Sequence, residues 1–371
     1  MSVSTRPTAR PRRIDHLTAL RFLAALMVFV VHLNYFLPGS WPLDHLSVGV
    51  SFFFVLSGFV LTWSARPEDG AASVYRRRIA RIVPVYLLAW LGGVILTIPE
   101  HAPHDLKTLI VTVTLMQAWI PNHHMYFRVN LVAWSLSCEA FFYLCFPFVL
   151  RALRRLSARA LSAVGIASIA ATGVVFPLVS QRIHDPQLAS WFIYIFPGTR
   201  FAEFLLGMVL GLALRNNWRI GLHPLWPAVL LLGALIATYH VPERFGREAL
   251  TVVPIALLIV SVAGADLGDR ASVLGAHWLI RLGEWSFAFY MVHTLWFRAA
   301  AIVLPRPTTI PVGFAIDVAV LVLSIASAGA VYQRYEMPLE RRLRHAGTGG
   351  RFPRAIRDVG IAQVADGGED R

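Results

Sequence analysis

Long apolar stretches alternate with short arginine-bearing ones along the whole chain, and that alternation sets the fold class. Stretches such as 161–179 and 312–331 run for some twenty residues with hardly a charge. A bilayer core of about 30 Å is crossed by ~20 mostly apolar residues in a helix. Only a helix or a closed barrel satisfies its backbone N–H and C=O groups in lipid, and continuous apolar runs of this length fit the helix. The pattern predicts an all-α polytopic membrane protein with about ten spans, at 17–37, 47–64, 82–98, 131–150, 160–179, 191–213, 224–240, 250–265, 283–304 and 312–333. The apolar block 108–120 is too short to cross and would break the alternation, so a re-entrant or interfacial segment is expected there.

The first apolar run, 17–37, is long for a signal-peptide core, and Pro38-Gly39-Ser40 is not a small-residue cleavage site, so it reads as a retained span. The organisation that follows is a basic tail at 1–16, a single membrane domain at 17–344 and a Gly-, Asp- and Arg-rich tail at 345–371. Arginines crowd alternate loops, at 6–13, 66–81, 151–159, 215–219, 270–281 and 334–344. The intervening loops hold only Lys107, Arg128, Arg182, Arg244, Arg247 and Arg306. The positive-inside rule puts the rich side, and both termini, in the cytoplasm, with the chain multi-pass in the cell membrane.

Composition narrows the chemistry. Of 371 residues 56% are hydrophobic and 15% charged, and the net charge is +13. That charge does not point to nucleic acid, because the basic residues flank spans and no basic groove with interleaved aromatics lies outside them. Lys107 is the one lysine; no G-x-x-x-x-G-K precedes it, and Schiff-base chemistry is disfavoured. Cys138 and Cys145 share one apolar block, so neither a disulfide framework nor a zinc motif can be built from them, and no metal is expected.

Ionisable side chains inside a bilayer are costly and mark function by default. The expected spans contain Arg21, His32, Glu139, Arg200, Glu203, His293, Arg298 and Asp317. Arg21 and His32 lie eleven residues apart in one span, on one helical face and ~16 Å apart along its axis. A histidine there is either a general base, with a pKa of ~6.5 in its favour, or a hydrogen bond to a neighbouring helix. Glu139, in Trp134-Ser135-Leu136-Ser137-Cys138-Glu139, needs a cationic partner or a proton; Trp134 is a substrate contact or an interfacial anchor. Arg200 and Glu203 are spaced to pair locally. Arg298 and Asp317 fall in the outer parts of the last two spans, where an ion pair between helices is expected. His293 is open between a buried hydrogen-bonding role and a direct one. Arg78 and Arg81, in the run Tyr75–Pro84, are either topogenic or a phosphate clamp, since arginine pairs bidentately with phosphate.

Five features in order cover about residues 12–344. They are Arg21-x10-His32, Phe52-Phe53-Phe54-Val55-Leu56-Ser57-Gly58-Phe59, Arg78-x-x-Arg81 before Pro84, Trp134-Ser135-Leu136 with Glu139, and Tyr335-Glu336-Met337-Pro338. In this the chain resembles the acyltransferase-3 family of integral-membrane O-acyltransferases, in its compact form without a fused extracytoplasmic domain. The resemblance implies acyl-coenzyme A as co-substrate, with no bound cofactor, and an acyl group, acetyl or another short one, moved to a hydroxyl of a sugar, glycan or macrolide-like acceptor. It also implies that His32 acts as base and that Arg21, Arg78, Arg81 and Glu336 are required. Glu139 would orient the base or another polar group, and Trp134 and His293 would contact substrate. No G-x-S-x-G is present to suggest a serine acyl-enzyme. The rival reading, a transporter or flippase of a glycan or lipid, fits the intramembrane charges too, but no inverted repeat is evident.

Overall fold

The structure is a computed structural model that describes residues 12–66, 68–100, 105–242 and 245–345. Most of the two expected tails therefore lies outside the described residues. Among those residues the elements are helical, with no strand. Among the described residues nine helices are long and apolar enough to cross a membrane. They are α1 (Asp15–Tyr35), α2 (Leu43–Ser64), α3 (Ala71–Thr97), α4 (Trp134–Leu153), α5 (Ala158–Gln181), α6 (Pro186–Arg215), α8 (Glu248–Leu267), α9 (His277–Val303) and α10 (Ile310–Arg342). Between α6 and α8 lies a shorter apolar helix, α7 (Leu225–Thr238).

The seventh expected span, 224–240, is this α7. Its 14 residues rise ~21 Å, short of a ~30 Å core. It still carries the chain from one end of the bundle to the other. Arg215, closing α6, donates to Thr62 O near the end of α2 at 3.1 Å, which is the arginine-rich end. Thr238 and Tyr239, closing α7, bond His45 Nδ1 and Pro42 O, each at 2.8 Å, where α2 begins. Parity is thereby kept. Arg12, before α1, pairs with Asp269 at 2.7 Å, and Glu340 in α10 faces Arg81 in α3 at 3.9 Å. Both ends of the described chain thus meet at one end of the bundle.

The segment after α3 matches the short apolar block. A helix over Leu106–Val113 leads to a 3₁₀ turn over Gln117–Trp119. It is tied inward by Trp90 Nε1, which donates to Thr112 Oγ1 at 2.9 Å, and by the Tyr86 and Ser137 hydroxyls, which donate to Thr112 O and Leu115 O. α3 begins eleven residues before the expected span, so Arg76, Arg77, Arg78 and Arg81 project from a regular helix.

Small residues set the closest helix crossings, as in membrane bundles generally. A Cβ on Gly58 of α2 would lie 2.0 Å from Phe204 O, and one on Gly207 of α6 would lie 1.9 Å from Val55 O. At the crossing of α1 and α9, a Cβ on Gly283 would lie 1.9 Å from Thr18 O.

Buried charges lock the bundle at the opposite end. Arg200 pairs with Glu203 at 3.1 Å, the local pair read from spacing, and with Glu248 of α8 at 3.1 Å. It donates to Ser51 Oγ at 2.8 Å and lies over the rings of Phe54 and Tyr194. The expected Arg298–Asp317 pair does not form. Arg298 instead donates to Glu100 Oε2 at 2.7 Å and Oε1 at 2.9 Å, and to Val129 O. Glu100, in the turn just after α3, accepts from two guanidinium nitrogens and Val129 O from the third, so the guanidinium is satisfied without Asp317. Asp317 is 2% exposed, and neither carboxylate oxygen has a hydrogen-bond partner among the described residues.

Candidate active site

A cavity of about 460 Å³ enters the bundle at the arginine-rich end, between α1, α2, α3, α4 and α9. Five arginines line it, Arg12, Arg13, Arg21, Arg78 and Arg81, with two carboxylates, Glu139 and Glu284. At the mouth Arg13 donates to Glu284 Oε1 at 2.8 Å. Arg78 and Arg81 stand three residues apart on α3 and so share a face. Arg77, one position away, turns elsewhere and donates to Asp69 at 2.8 Å and Ser73 at 2.7 Å. Partial burial raises the Asp69 carboxyl, but hydrogen bonds from Arg77 and the Arg66 N–H prevail and hold it below its ordinary value. The Arg78 guanidinium lies 5.9 Å from the Tyr143 ring centroid. Arg21, on α1, lies further in than Arg12 and Arg13 and feels the charges of Arg81, Glu336 and Glu139.

One wall carries a polar chain. The Tyr143 hydroxyl donates to Glu139 Oε2 at 2.7 Å and lies 3.1 Å from Ser57 Oγ. At the inner end the lining is Val50, Phe53, Phe54, Ser135 and Tyr290. Tyr290 Oη lies 2.8 Å from Ser135 Oγ and 3.3 Å from Val132 O.

One helical turn beyond Tyr290 on α9 is His293, fully buried, with ring centroids 6.0 Å apart. His293 Nε2 lies 3.4 Å from His32 Nδ1, and the two rings meet edge to face at 5.1 Å. The α-helix of α1 ends at Val31, so His32 opens a 3₁₀ turn at its tip and is only part-buried. The hydrogen bonds fix a consistent tautomer set. His32 Nδ1–H donates to Val28 O at 2.8 Å, and His293 Nδ1–H donates to Phe289 O at 3.2 Å. The His293 Nε2 lone pair then faces His32 Nδ1, and the His32 Nε2 lone pair is left to accept a proton. Neither histidine lines the cavity; Tyr290, which does, lies one turn from His293, and Ser135 lines it beside Tyr290. Among the described residues no group of three or more His, Cys, Asp or Glu could hold a metal ion.

An arginine-lined entrance leading toward a histidine pair inside a membrane bundle suits transfer chemistry on an anionic donor, and the sequence comparisons decide the class. A family model described as an acyltransferase domain matches residues 14–329. The chain belongs to the acyltransferase-3 family. It is similar to the acyltransferase MdmB of Streptomyces mycarofaciens, 36% identical over 362 residues, with 89% of this chain and 92% of that protein covered. It is 27% identical to the exopolysaccharide production protein ExoZ of Rhizobium meliloti, over 80% of this chain and 90% of the relative. It is also 27% identical to the O-acetyltransferase OatA of Staphylococcus aureus, over 54% of this chain and 34% of that longer protein. No solved structure matches the chain. This is therefore an acyltransferase built as a multi-pass membrane protein.

The residues marked in the sequence motifs fall into four groups in space. Arg21, Arg78, Arg81 and Glu139 line the cavity. His32 meets His293 past the cavity's inner end, and Glu139 is not its partner; the Glu139 carboxylate takes the Tyr143 hydroxyl instead. Glu336 sits in a π-helical turn of α10, 1% exposed, with neither oxygen hydrogen-bonded among the described residues but both within the charge fields of Arg81 and Arg21. Trp134 is not an interfacial anchor. It is 3% exposed and packs on the Phe54 and Tyr194 rings, which leaves Ser135, its neighbour, to face the cavity.

Sequence reasoning did not single out Ser57, Ser135, Tyr143 or Tyr290. The signal for the tyrosines was present: Tyr143 is four residues after Glu139, and Tyr290 three before His293, so each shares a helical face with a residue already marked.

Proposed function

We propose that this acyltransferase moves a short acyl group, acetyl in the simplest case, from acyl-coenzyme A to a hydroxyl of a sugar, glycan or sugar-bearing natural product of the macrolide kind, at the cell membrane. The observation that carries the reading is the arginine-lined cavity that stops one helical turn short of the His32–His293 pair. Arg78 and Arg81 suit the phosphates of the coenzyme, with Arg21 deeper behind them. The pantetheine arm then lies along Val50, Phe53 and Phe54, and the thioester reaches the inner end by Tyr290. The acceptor comes from the opposite end of the bundle, where His32 is part-exposed at the tip of α1.

In the transfer step His32 Nε2 takes the proton of the acceptor hydroxyl, and the oxygen attacks the thioester carbonyl. The tetrahedral intermediate collapses as the C–S bond breaks, and the imidazolium returns its proton to the departing thiolate. The products are the ester and free coenzyme A. His293 supports the imidazolium through His32 Nδ1–H. The name of ExoZ, an exopolysaccharide production protein, agrees with a carbohydrate acceptor, and that of OatA, an O-acetyltransferase, with an acetyl group moved to oxygen.

The test is direct. Purified protein in detergent is incubated with radiolabelled acetyl-coenzyme A and a panel of short acyl donors, and both label transfer to sugar acceptors and thiol release are followed. Turnover of a donor supports the reading; stability toward all of them, with the protein folded, sinks it in favour of a transport role.

A further inference from the structure

We propose that the Tyr290 hydroxyl, backed by Ser135, donates the hydrogen bond that stabilises the tetrahedral oxyanion, which makes Tyr290 a catalytic residue. This rests on the acyl-transfer reading above. An oxyanion at the thioester needs a donor placed before the reaction and aimed at where the charge develops. Most hydroxyls that line the cavity are committed elsewhere. Tyr143 gives its proton to Glu139 at 2.7 Å. Ser64 bonds Val60 O at 2.7 Å, and Ser286 bonds Gly283 O at 2.7 Å, both within their own helices. Tyr332 stands at the arginine end, beside Arg81. Tyr290 alone combines a place at the inner end with uncharged partners and a position one turn from His293.

The local hydrogen bonds permit the donation without leaving an orphan. At rest Ser135 Oγ donates to Val132 O at 2.9 Å and accepts from Tyr290 at 2.8 Å. Rotation of the serine hydroxyl onto Tyr290 Oη releases the phenolic proton toward the cavity. Val132 O keeps the backbone N–H of Ser135, at 3.2 Å, so it stays satisfied. The relay Ser135→Tyr290→oxyanion polarises each bond in turn, which strengthens the terminal donor. No proton leaves either hydroxyl and no covalent bond forms to the protein.

The experiment compares wild type, Tyr290→Phe, Ser135→Ala and protein with 3,5-difluorotyrosine installed at position 290. Steady-state acyl transfer, donor affinity and thermal unfolding are measured on each. Tyr290→Phe should lower kcat by roughly 10²–10³-fold, the usual loss of an oxyanion donor, with donor affinity and unfolding temperature near wild type. Ser135→Ala should lower kcat by roughly fivefold, the worth of a supporting neutral hydrogen bond. Difluorotyrosine keeps the ring and both hydrogen bonds while acidifying the phenol, so its kcat should depart from wild type with affinity unchanged. Full kcat in Tyr290→Phe overturns the proposal and leaves acyl transfer standing. Should Tyr290→Phe not fold, an unaltered kcat in the fluorinated protein overturns it equally. A wild type that turns over no acyl-coenzyme A removes the underlying reading, and the proposal with it.

Discussion

If His32 is the base, His293 acts on the reaction only through it, and the two positions should fail by different amounts. His32→Ala removes the proton acceptor, which costs roughly 10²–10⁴-fold in turnover. His293→Ala removes a second acceptor for a proton already held by Val28 O at 2.8 Å. Its own contact, at 3.4 Å, is at the long edge of hydrogen-bond geometry. A well-formed bond to a charged group contributes about 1.5–3 kcal/mol, so a long, shared one belongs near ~1–1.4 kcal/mol. That corresponds to a five- to tenfold loss in kcat. The alanine also opens space among Phe29, Phe289 and Phe297, which ring the two histidines. His293→Phe fills that space without the nitrogen, and His293→Gln restores an acceptor at similar reach.

The assay is acyl transfer with saturating donor and acceptor, with unfolding temperature measured on the same preparations. The expected order is His293→Gln closest to wild type, His293→Phe five- to tenfold down and His32→Ala far lower. The double alanine variant should be no slower than His32→Ala alone, because a supporting group has nothing left to support. A His293→Phe loss as large as that of His32→Ala would reverse the roles of the two rings. Near-normal turnover in His32→Ala would remove this base altogether.

Three further outcomes are expected. Arg78→Ala with Arg81→Ala should weaken binding of acyl-coenzyme A, measured by calorimetry, and barely affect an acyl-pantetheine donor that lacks the nucleotide phosphates; equal losses would leave the cluster a topological role only. Reporter fusions after Arg13 and after Arg344 should both report the cytoplasm, and an extracytoplasmic signal from either would defeat the parity kept by α7. Arg200→Ala strands Glu203 and Glu248 in the bundle and should destabilise by about 3–5 kcal/mol, whereas Asp317→Leu, which removes a buried carboxylate without partners, should leave the unfolding temperature unchanged or higher.

The bundle was legible in the sequence because one physical requirement, apolar length, dominates in lipid. That same requirement made α7 look like its neighbours: the apolar block at 224–240 has the length, but Pro224 and the turn after Thr238 trim the helix to fourteen residues. Pairs within one helix were legible from spacing, as with Arg200 and Glu203. Pairs between helices were not. Arg298 and Asp317 lie at similar depth on successive spans, yet Glu100, from the turn just after α3, takes the guanidinium. Depth limits which charges can meet, but rotation of each helix about its axis decides which ones do, and nothing in a single sequence fixes that rotation. The His32–His293 contact was hidden for the same reason, although both histidines were marked.

Charge balance separates the structural cluster from the site. Around Arg200, one guanidinium meets two carboxylates, a serine and two aromatic faces, and the group closes on itself. Around the cavity Arg12 and Arg13 are paired at the mouth, with Asp269 at 2.7 Å and Glu284 at 2.8 Å, while further in Arg21, Arg78 and Arg81 share the lining with one carboxylate, Glu139. A cationic excess beside a low-dielectric interior destabilises the empty protein and is relieved when an anion enters. The deeper the arginine, the larger that relief, because fewer waters screen it. Arg21 lies beyond Arg13 by more than two helical turns, so the cationic lining extends inward from the mouth. In the proposed reading the phosphates of acyl-coenzyme A would stop at Arg78 and Arg81, and its uncharged arm would be the part that passes Phe53 and Phe54. On that reading the arginines would fix the anionic end of the donor and leave its thioester end to reach toward Tyr290 and the histidine pair.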